Sequence, residues 1–282
     1  MSRPDPAFRR IARHIANDIA AGRLRDGQQL PSTRDLAQEW GVSAYTVNTA
    51  MDSLVEDGLI ESRGRSGRTV RAPETATTPA PRRRAEGPST PRVLLIGGYA
   101  GSGKTELGRM IARETGWPML DKDTLTRPVV EASLELMGHS PNDRESELYA
   151  DKIRPREYEA LASAMDENLS CGTSVIATAP FIREFGSTAW LSRTQASCAE
   201  HGAVVQVAWV YADPDTMHTY LRHRGAARDA SKLADWPHYL SAINTEFRPA
   251  VDDHFLIDNS VDSDPLRDQA KRLINTTMQK EQ

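Results

Sequence analysis

The stretch Arg92-Val-Leu-Leu-Ile-Gly-Gly-Tyr-Ala-Gly-Ser-Gly-Lys-Thr105 constrains this chain more than any other. Val93 to Ile96 is a short apolar run and reads as a buried strand. It breaks into a glycine-rich loop and then a helix over about 105–115. The spacing Gly98-x4-Gly103-Lys104-Thr105 is the phosphate-binding loop pattern, with Ala100, Gly101 and Ser102 inside it. Glycines let backbone N–H groups curl round an anionic phosphate, and the helix N-terminus adds its dipole. Lys104 is expected to reach the β/γ-phosphates and Thr105 to ligate Mg²⁺.

Composition narrows the class. At 282 residues, 39% hydrophobic and 26% charged, the chain suits one or two globular domains. Cys171 and Cys198 have no metal-ligand spacing and read as reduced thiols. The N-terminus lacks the apolar core of a signal peptide, and no run approaches a membrane span. A soluble, cytoplasmic protein is expected. Charge is uneven: residues 1–91 carry a net +3 and the remainder −7. The N-terminal part is therefore the better candidate to meet nucleic acid.

Within residues 6–21, Phe8, Ile11, Ile15 and Ile19 fall at helical spacing, and Gly22 closes the helix. Ser32 is placed to cap a helix from Thr33 to about Trp40, ended by Gly41. Ser43 is placed to cap another from Ala44 to about Asp57, with Val47, Ala50, Met51 and Leu54 facing inward. Residues 59–63 and 68–71 read as short strands joined by Gly64-Arg-Ser-Gly67. Three helices followed by a basic hairpin make a winged helix-turn-helix. Its third helix can lie in a major groove while Arg63, Arg65 and Arg68 sit beside a phosphate backbone.

Leu30-Pro-Ser-Thr-Arg-Asp-Leu-Ala37, Gly41-Val-Ser43, Thr46-Val47, Leu54 and Asp57-Gly-Leu-Ile60 resemble the GntR family of bacterial transcription regulators over residues 5–72. That resemblance implies DNA contacts from Ser32, Thr33, Arg34, Ser43, Tyr45 and Thr46, and from wing residues Arg63, Gly64, Arg65 and Gly67. Ala44 and Asn48 stand where the family often has basic residues, so Tyr45 and Asn48 become candidates for reading other base edges.

Residues 73–91 have no hydrophobic period and are rich in Pro, Thr and Ala, as in a flexible linker. Arg82, Arg83 and Arg84 within it read as solvated linker charge, with added non-specific DNA affinity as the other reading. From 92 to 282 strands and helices alternate. Strands are expected at 93–96, 118–120, 174–177, 204–211 and 255–257. Helices are expected at 124–138, 145–170, 184–200, 214–223, 235–246 and 264–279. Such alternation predicts an α/β P-loop domain with a parallel sheet flanked by helices and its site at the strand ends.

Asp121-Lys122-Asp123 follows the second strand. Two roles stay open for its carboxylates: holding Mg²⁺ or accepting a proton, or capping a helix, for which Asp123 before Thr124 is suited. The third strand ends in Ile176-Ala-Thr178 and has no acid where a metal-binding Asp is usual. Arg222, Arg224 and Arg228 form a cationic cluster suited to phosphates. The loop, the Asp-x-Asp pair and this cluster resemble the P-loop kinase superfamily, among them zeta toxins, chloramphenicol phosphotransferase and gluconate or shikimate kinases. The resemblance implies an arginine lid over ATP, and places Phe255-Leu-Ile-Asp-Asn-Ser260 beside the adenine.

The expected function is a DNA-binding transcription regulator, acting as a repressor, whose operator affinity responds to ATP, dATP or GTP with Mg²⁺. The other reading is a small-molecule or nucleotide kinase with a DNA-binding appendage. Operator DNA, a nucleotide and a second copy in a homodimer or higher homo-oligomer are the expected partners, with no membrane.

Overall fold

The computed structural model describes residues 7–62, 67–71 and 90–279. The expected linker lies outside the described residues except for Thr90 and Pro91, as do Arg63, Gly64 and Arg65.

Helix α1 (Ala7–Ala20) turns Ile11, Ile15 and Ile19 into a core shared with α2 (Thr33–Trp40) and α3 (Ala44–Glu56). Ser32 and Ser43 cap α2 and α3 by accepting the Asp35 and Thr46 backbone N–H groups. Gly41 ends α2 in left-handed backbone (φ 64°) and sets the turn into α3. Strands β1 (Ile60–Ser62) and β2 (Arg68–Val70) pair antiparallel, with Ile60 opposite Val70 and both buried beneath the helices.

The rest is a parallel sheet with helices on both faces. In chain order come β3 (Arg92–Gly97), α4 (Lys104–Thr115), β4 (Met119–Asp121) and α5 (Lys122–Leu136). A π-helical turn at Tyr149–Ile153 leads into α6 (Arg154–Ser170), followed by β5 (Val175–Thr178), α7 (Ile182–Phe185) and α8 (Thr188–Glu200). Then come β6 (Val204–Tyr211), α9 (Pro214–Arg224), a 3-10 turn at Ala227–Asp229, α10 (Ala230–Ala234) and α11 (Trp236–Ala242). β7 (His254–Asp258) and α12 (Leu266–Gln279) complete it. The strand order is β4-β5-β3-β6-β7, all parallel. Central β3 is buried throughout: Val93 and Leu95 join a cluster with Phe181, Phe185 and Trp209, while Leu94 and Ile96 join Leu107, Ile111 and Leu266. A strand covered on both faces has no polar side to show, so its sequence is continuously apolar.

Several helices differ from expectation. The run at 184–200 breaks at Gly186-Ser187, where Ser187 caps a new helix by accepting the Trp190 N–H. The run at 145–170 starts with the π-helical turn. The helix expected at 235–246 ends at Ala242, after the separate α10.

Candidate functional site

Two glycines in left-handed backbone shape the loop after β3: Gly101 at φ 82° and Gly103 at φ 97°. A Cβ on Gly101 would come 2.7 Å from the Met217 carbonyl oxygen, and one on Gly103 2.3 Å from the Asn259 side chain. Both the backbone and the space therefore demand glycine. The loop runs straight into α4, so a helix N-terminus opens where an anion would sit. Gly101, Gly103, Lys104 and Thr105 line a cavity of about 460 Å³. Gly98 and Ser102 are buried, Ala100 is half-buried, and none of the three lines the cavity. The Ser102 hydroxyl has no hydrogen-bond partner among the described residues. Burial, with Arg224 nearby, lowers the Lys104 ammonium pKa; Asp123, Asp121 and Glu106 oppose the shift.

The acid absent from β5 is supplied by its neighbour. Asp121, at the end of β4, lies opposite Thr178 in the parallel register. Its Oδ2 accepts from the Thr178 hydroxyl (2.7 Å) and the Thr105 hydroxyl (3.3 Å). Its Oδ1 accepts from the Thr124 N–H (2.9 Å), so Asp121, and not Asp123, caps α5. Asp121 thus combines a capping contact with a place beside Thr105. Asp123, in the first turn of α5, lines the cavity between Lys122 Nζ (3.0 Å) and Arg228 (3.2 Å). Burial works against its ionisation, but Lys122, Arg228 and Lys104 outweigh it and hold its carboxyl far below the usual range. Lys122 points into protein, where its Nζ meets Glu157 Oε1 at 2.6 Å.

Of the three arginines expected to form a lid, Arg224 and Arg228 line the cavity; Arg224 Nε donates to buried Asp229 at 3.0 Å. Arg222 is exposed and outside the lining. Its guanidinium lies against Gly41, where an added Cβ would be 3.0 Å from it. Helical geometry explains the split: residues two apart on one helix do not share a face.

A further wall comes from α1. His14, Asn17 and Asp18 line the same cavity, joined by Arg23 just beyond the helix. Arg23 bridges Asp18 (Nε to Oδ1, 2.8 Å) and Glu106 of α4 (2.7 Å). Arg13 donates to Asn259 Oδ1 (3.3 Å) and to the Val261, Ser263 and Asp264 carbonyls. Asn17 also donates to Asn259 Oδ1 (3.1 Å), and Asn259 Nδ2 donates to the Ser102 carbonyl (3.0 Å). A chain of hydrogen bonds thus runs from α1 to the phosphate loop. His14 packs among Trp40, Tyr220 and His223, and His223 stacks on Trp40 at 4.0 Å. Ala21 enters the apolar cluster of the parallel sheet. Burial pushes the His14 imidazole well below its ordinary pKa, aided by His223 and Arg23. Burial likewise raises Asp18 to about 6 against the pull of Arg23.

The opposite side of the N-terminal unit is open. Arg34, Ser43, Tyr45 and Asn48 are exposed, Tyr45 by 81%. Ser32 is also exposed, while Thr33, Thr46 and Gly67 are half-buried. Arg68 donates to the Thr33 hydroxyl (3.0 Å) and to Asn48 Oδ1 (3.1 Å), so part of the Asn48 amide is engaged within the fold.

Residues 93–241, more than half of the chain, match the AAA domain model. The chain belongs to the AAA domain family. Residues 8–70 match the model described as bacterial regulatory proteins, gntR family. The mannosyl-D-glycerate transport/metabolism system repressor MngR of Escherichia coli (strain K12) is 42% identical over 66 residues, 23% of this chain and 28% of the repressor. The shikimate kinase of Moorella thermoacetica is 30% identical over 104 residues, 36% of this chain and 58% of the kinase. The chain thus spans less than two thirds of either relative. A solved gluconokinase from Sinorhizobium meliloti 1021 aligns at TM-score 0.43 and 16% identity, covering 68% of this chain and 99% of that one. This AAA domain protein therefore carries a gntR-type helix-turn-helix segment ahead of its P-loop domain.

His14, Asn17, Asp18, Arg23 and Tyr220 escape motif reading. One signal for them exists in the sequence. Asn17 and Asp18 lie side by side inside a helix, where short polar side chains are poor formers and need a tertiary reason.

Proposed function

We propose that this chain is a cytoplasmic DNA-binding transcription regulator, acting as a repressor, whose operator affinity is set by ATP or a related nucleotide. The supporting observation is the two-sided N-terminal unit: the first turn of α3 faces solvent while α1 forms a wall of the phosphate-loop cavity. The proposed units are residues 1–72 for DNA, 73–91 as linker and 92–282 for nucleotide. A homodimer would present two recognition helices to paired half-sites.

Mg²⁺ fits the residues present. The Thr105 hydroxyl and Asp121 carboxylate adjoin one another at the loop, where the ion would neutralise phosphate charge. Among the described residues no group of three or more His, Cys, Asp or Glu could hold a metal, so nucleotide phosphates and water would supply the other ligands. No helix among the described residues is long and apolar enough to cross a membrane.

A kinase with a DNA-binding appendage is the second reading, favoured by Asp123 on the cavity wall.

The test is a titration of DNA from the protein's own promoter region, with and without saturating ATP–Mg²⁺, at one salt concentration. ATP should change affinity at least about fivefold, in the range of ordinary allosteric coupling. Superimposable curves would remove nucleotide control. Phosphorylated product from a panel of metabolites with ATP would favour the kinase.

A further inference from the structure

The phosphate loop accounts for one part of its cavity. Lys104 and Thr105 hold that part, with Asp121, Asp123 and Thr178 beside them. His14, Asn17, Asp18, Arg23, Tyr220 and His223 also line it, none of them in the loop and four of them from the N-terminal unit. At about 460 Å³ the whole is within the range of small-molecule sites, about 300–1,000 Å³.

This second part has unfilled hydrogen-bonding capacity. Tyr220 is 7% exposed, lines the cavity, and its hydroxyl has no partner among the described residues. Buried hydroxyls are normally satisfied, so an orphan on a residue of the cavity lining leaves a donor for a ligand group or water. Asp18 is similarly half-used. Both Arg23 contacts fall on its Oδ1, and among the described residues Oδ2 has only His14 Nε2 at 3.4 Å. An acceptor oxygen, a free hydroxyl and the His14 ring suit the hydroxyls of a sugar and the polar edge of a base.

We propose that His14, Asn17, Asp18 and Tyr220 form a nucleoside subsite. One nucleotide is then held by the phosphate loop at its phosphates and by α1 at its nucleoside. This rests on nucleotide binding at the loop. The consequence follows from the two faces of α1. Its polar face meets the ligand, while Ile11, Ile15 and Ile19 on the other face pack with Val47, Ala50, Met51 and Leu54 of α3. Ligand and recognition helix share one rigid element, so coupling has no need of the linker.

The experiment compares ATP–Mg²⁺ with tripolyphosphate–Mg²⁺ by calorimetry on the full chain, with thermal melts to check folding. Asp18→Asn and Tyr220→Phe each remove one hydrogen-bonding function with little change of shape. Either variant should weaken ATP by about three- to tenfold, the worth of one or two hydrogen bonds, and tripolyphosphate by less than about twofold. Lys104→Ala should weaken both ligands. ATP affinity within about twofold of wild type in both variants would overturn the proposal. So would tighter ATP binding in both, which would make α1 a plug, or equal wild-type affinity for ATP and tripolyphosphate. Wild-type protein that binds neither ligand would overturn the nucleotide reading along with this one. A Tyr220→Phe variant that fails to fold leaves the near-isosteric Asp18→Asn to decide.

Discussion

Replacing Lys122 by Met tests what holds the Asp-x-Asp turn against the cavity. Lys122 is 4% exposed and Glu157 3%. Glu157 takes three donors: Lys122 Nζ at 2.6 Å, Tyr149 Oη at 2.6 Å and Thr126 Oγ1 at 2.9 Å. Methionine fills the lysine's space but leaves Glu157 as a buried charge without a cation. Breaking such a pair costs about 3–5 kcal/mol, more than the pair itself contributes relative to an apolar replacement. For a unit of this size about 1 kcal/mol moves Tm by roughly 2–4 °C, so the variant should melt roughly 6–20 °C lower. Calorimetric and circular-dichroism melts of apo protein at pH 7 measure this. Adding Glu157→Gln removes the uncompensated charge while keeping an oxygen for Tyr149, and should recover more than half of the loss. A single-variant loss below about 1 kcal/mol would mean that water reaches Glu157, and would refute a dry ion pair under the site.

Lys104→Ala should abolish ATP–Mg²⁺ binding or weaken it at least about tenfold, the scale of a hydrogen bond to a charged group. Apo Tm should stay nearly constant, because Lys104 lies where burial disfavours its charge; unaltered ATP affinity by calorimetry would mean the phosphates sit elsewhere. Arg34→Ala should weaken operator binding and make its salt slope shallower by about one unit if Arg34 meets a phosphate; anisotropy titrations at several salt concentrations decide. Asp18 is raised from 3.8 to about 6 in the folded chain, mainly by burial. Its contribution to stability is therefore full below about pH 4 and lost as pH rises through about 6, amounting to roughly 3 kcal/mol at most. Asn mimics the protonated acid. The stability gain of Asp18→Asn over wild type should thus grow between pH 4 and 7 and level off above; a pH-independent difference in denaturant melts would contradict the buried carboxyl.

What local chemistry writes, the chain states openly. Ser32 and Ser43 cap the helices they precede because a cap needs only its next three residues. The phosphate loop is legible because Gly101 and Gly103 answer to backbone conformation, and central β3 because burial on both faces leaves an apolar run. Ile11, Ile15 and Ile19 announce one face of α1 through their spacing alone.

The other face of α1 says little by itself: beyond the Asn17-Asp18 pair inside a helix, His14, Asn17 and Asp18 are as ordinary on a solvated surface as on a cavity wall. Only packing against Tyr220 and Asn259 gives His14 and Asn17 their partners, and those lie 206 and 242 positions away in the sequence. Strand order had the same effect on the missing acid. Thr178 ends a strand without a carboxylate, and the parallel pairing of β4 with β5 brings Asp121 to it. Arg222 and Arg224 look equivalent in the sequence, yet the helix turn between them sends one to Gly41 and the other to the cavity. Sequence by itself determined the two kinds of unit and the phosphate loop, because caps, turns and periodicity act over a few residues. Tertiary structure alone decided that the helix-turn-helix unit walls the phosphate-loop cavity, because that depends on surfaces meeting across the whole length of the chain.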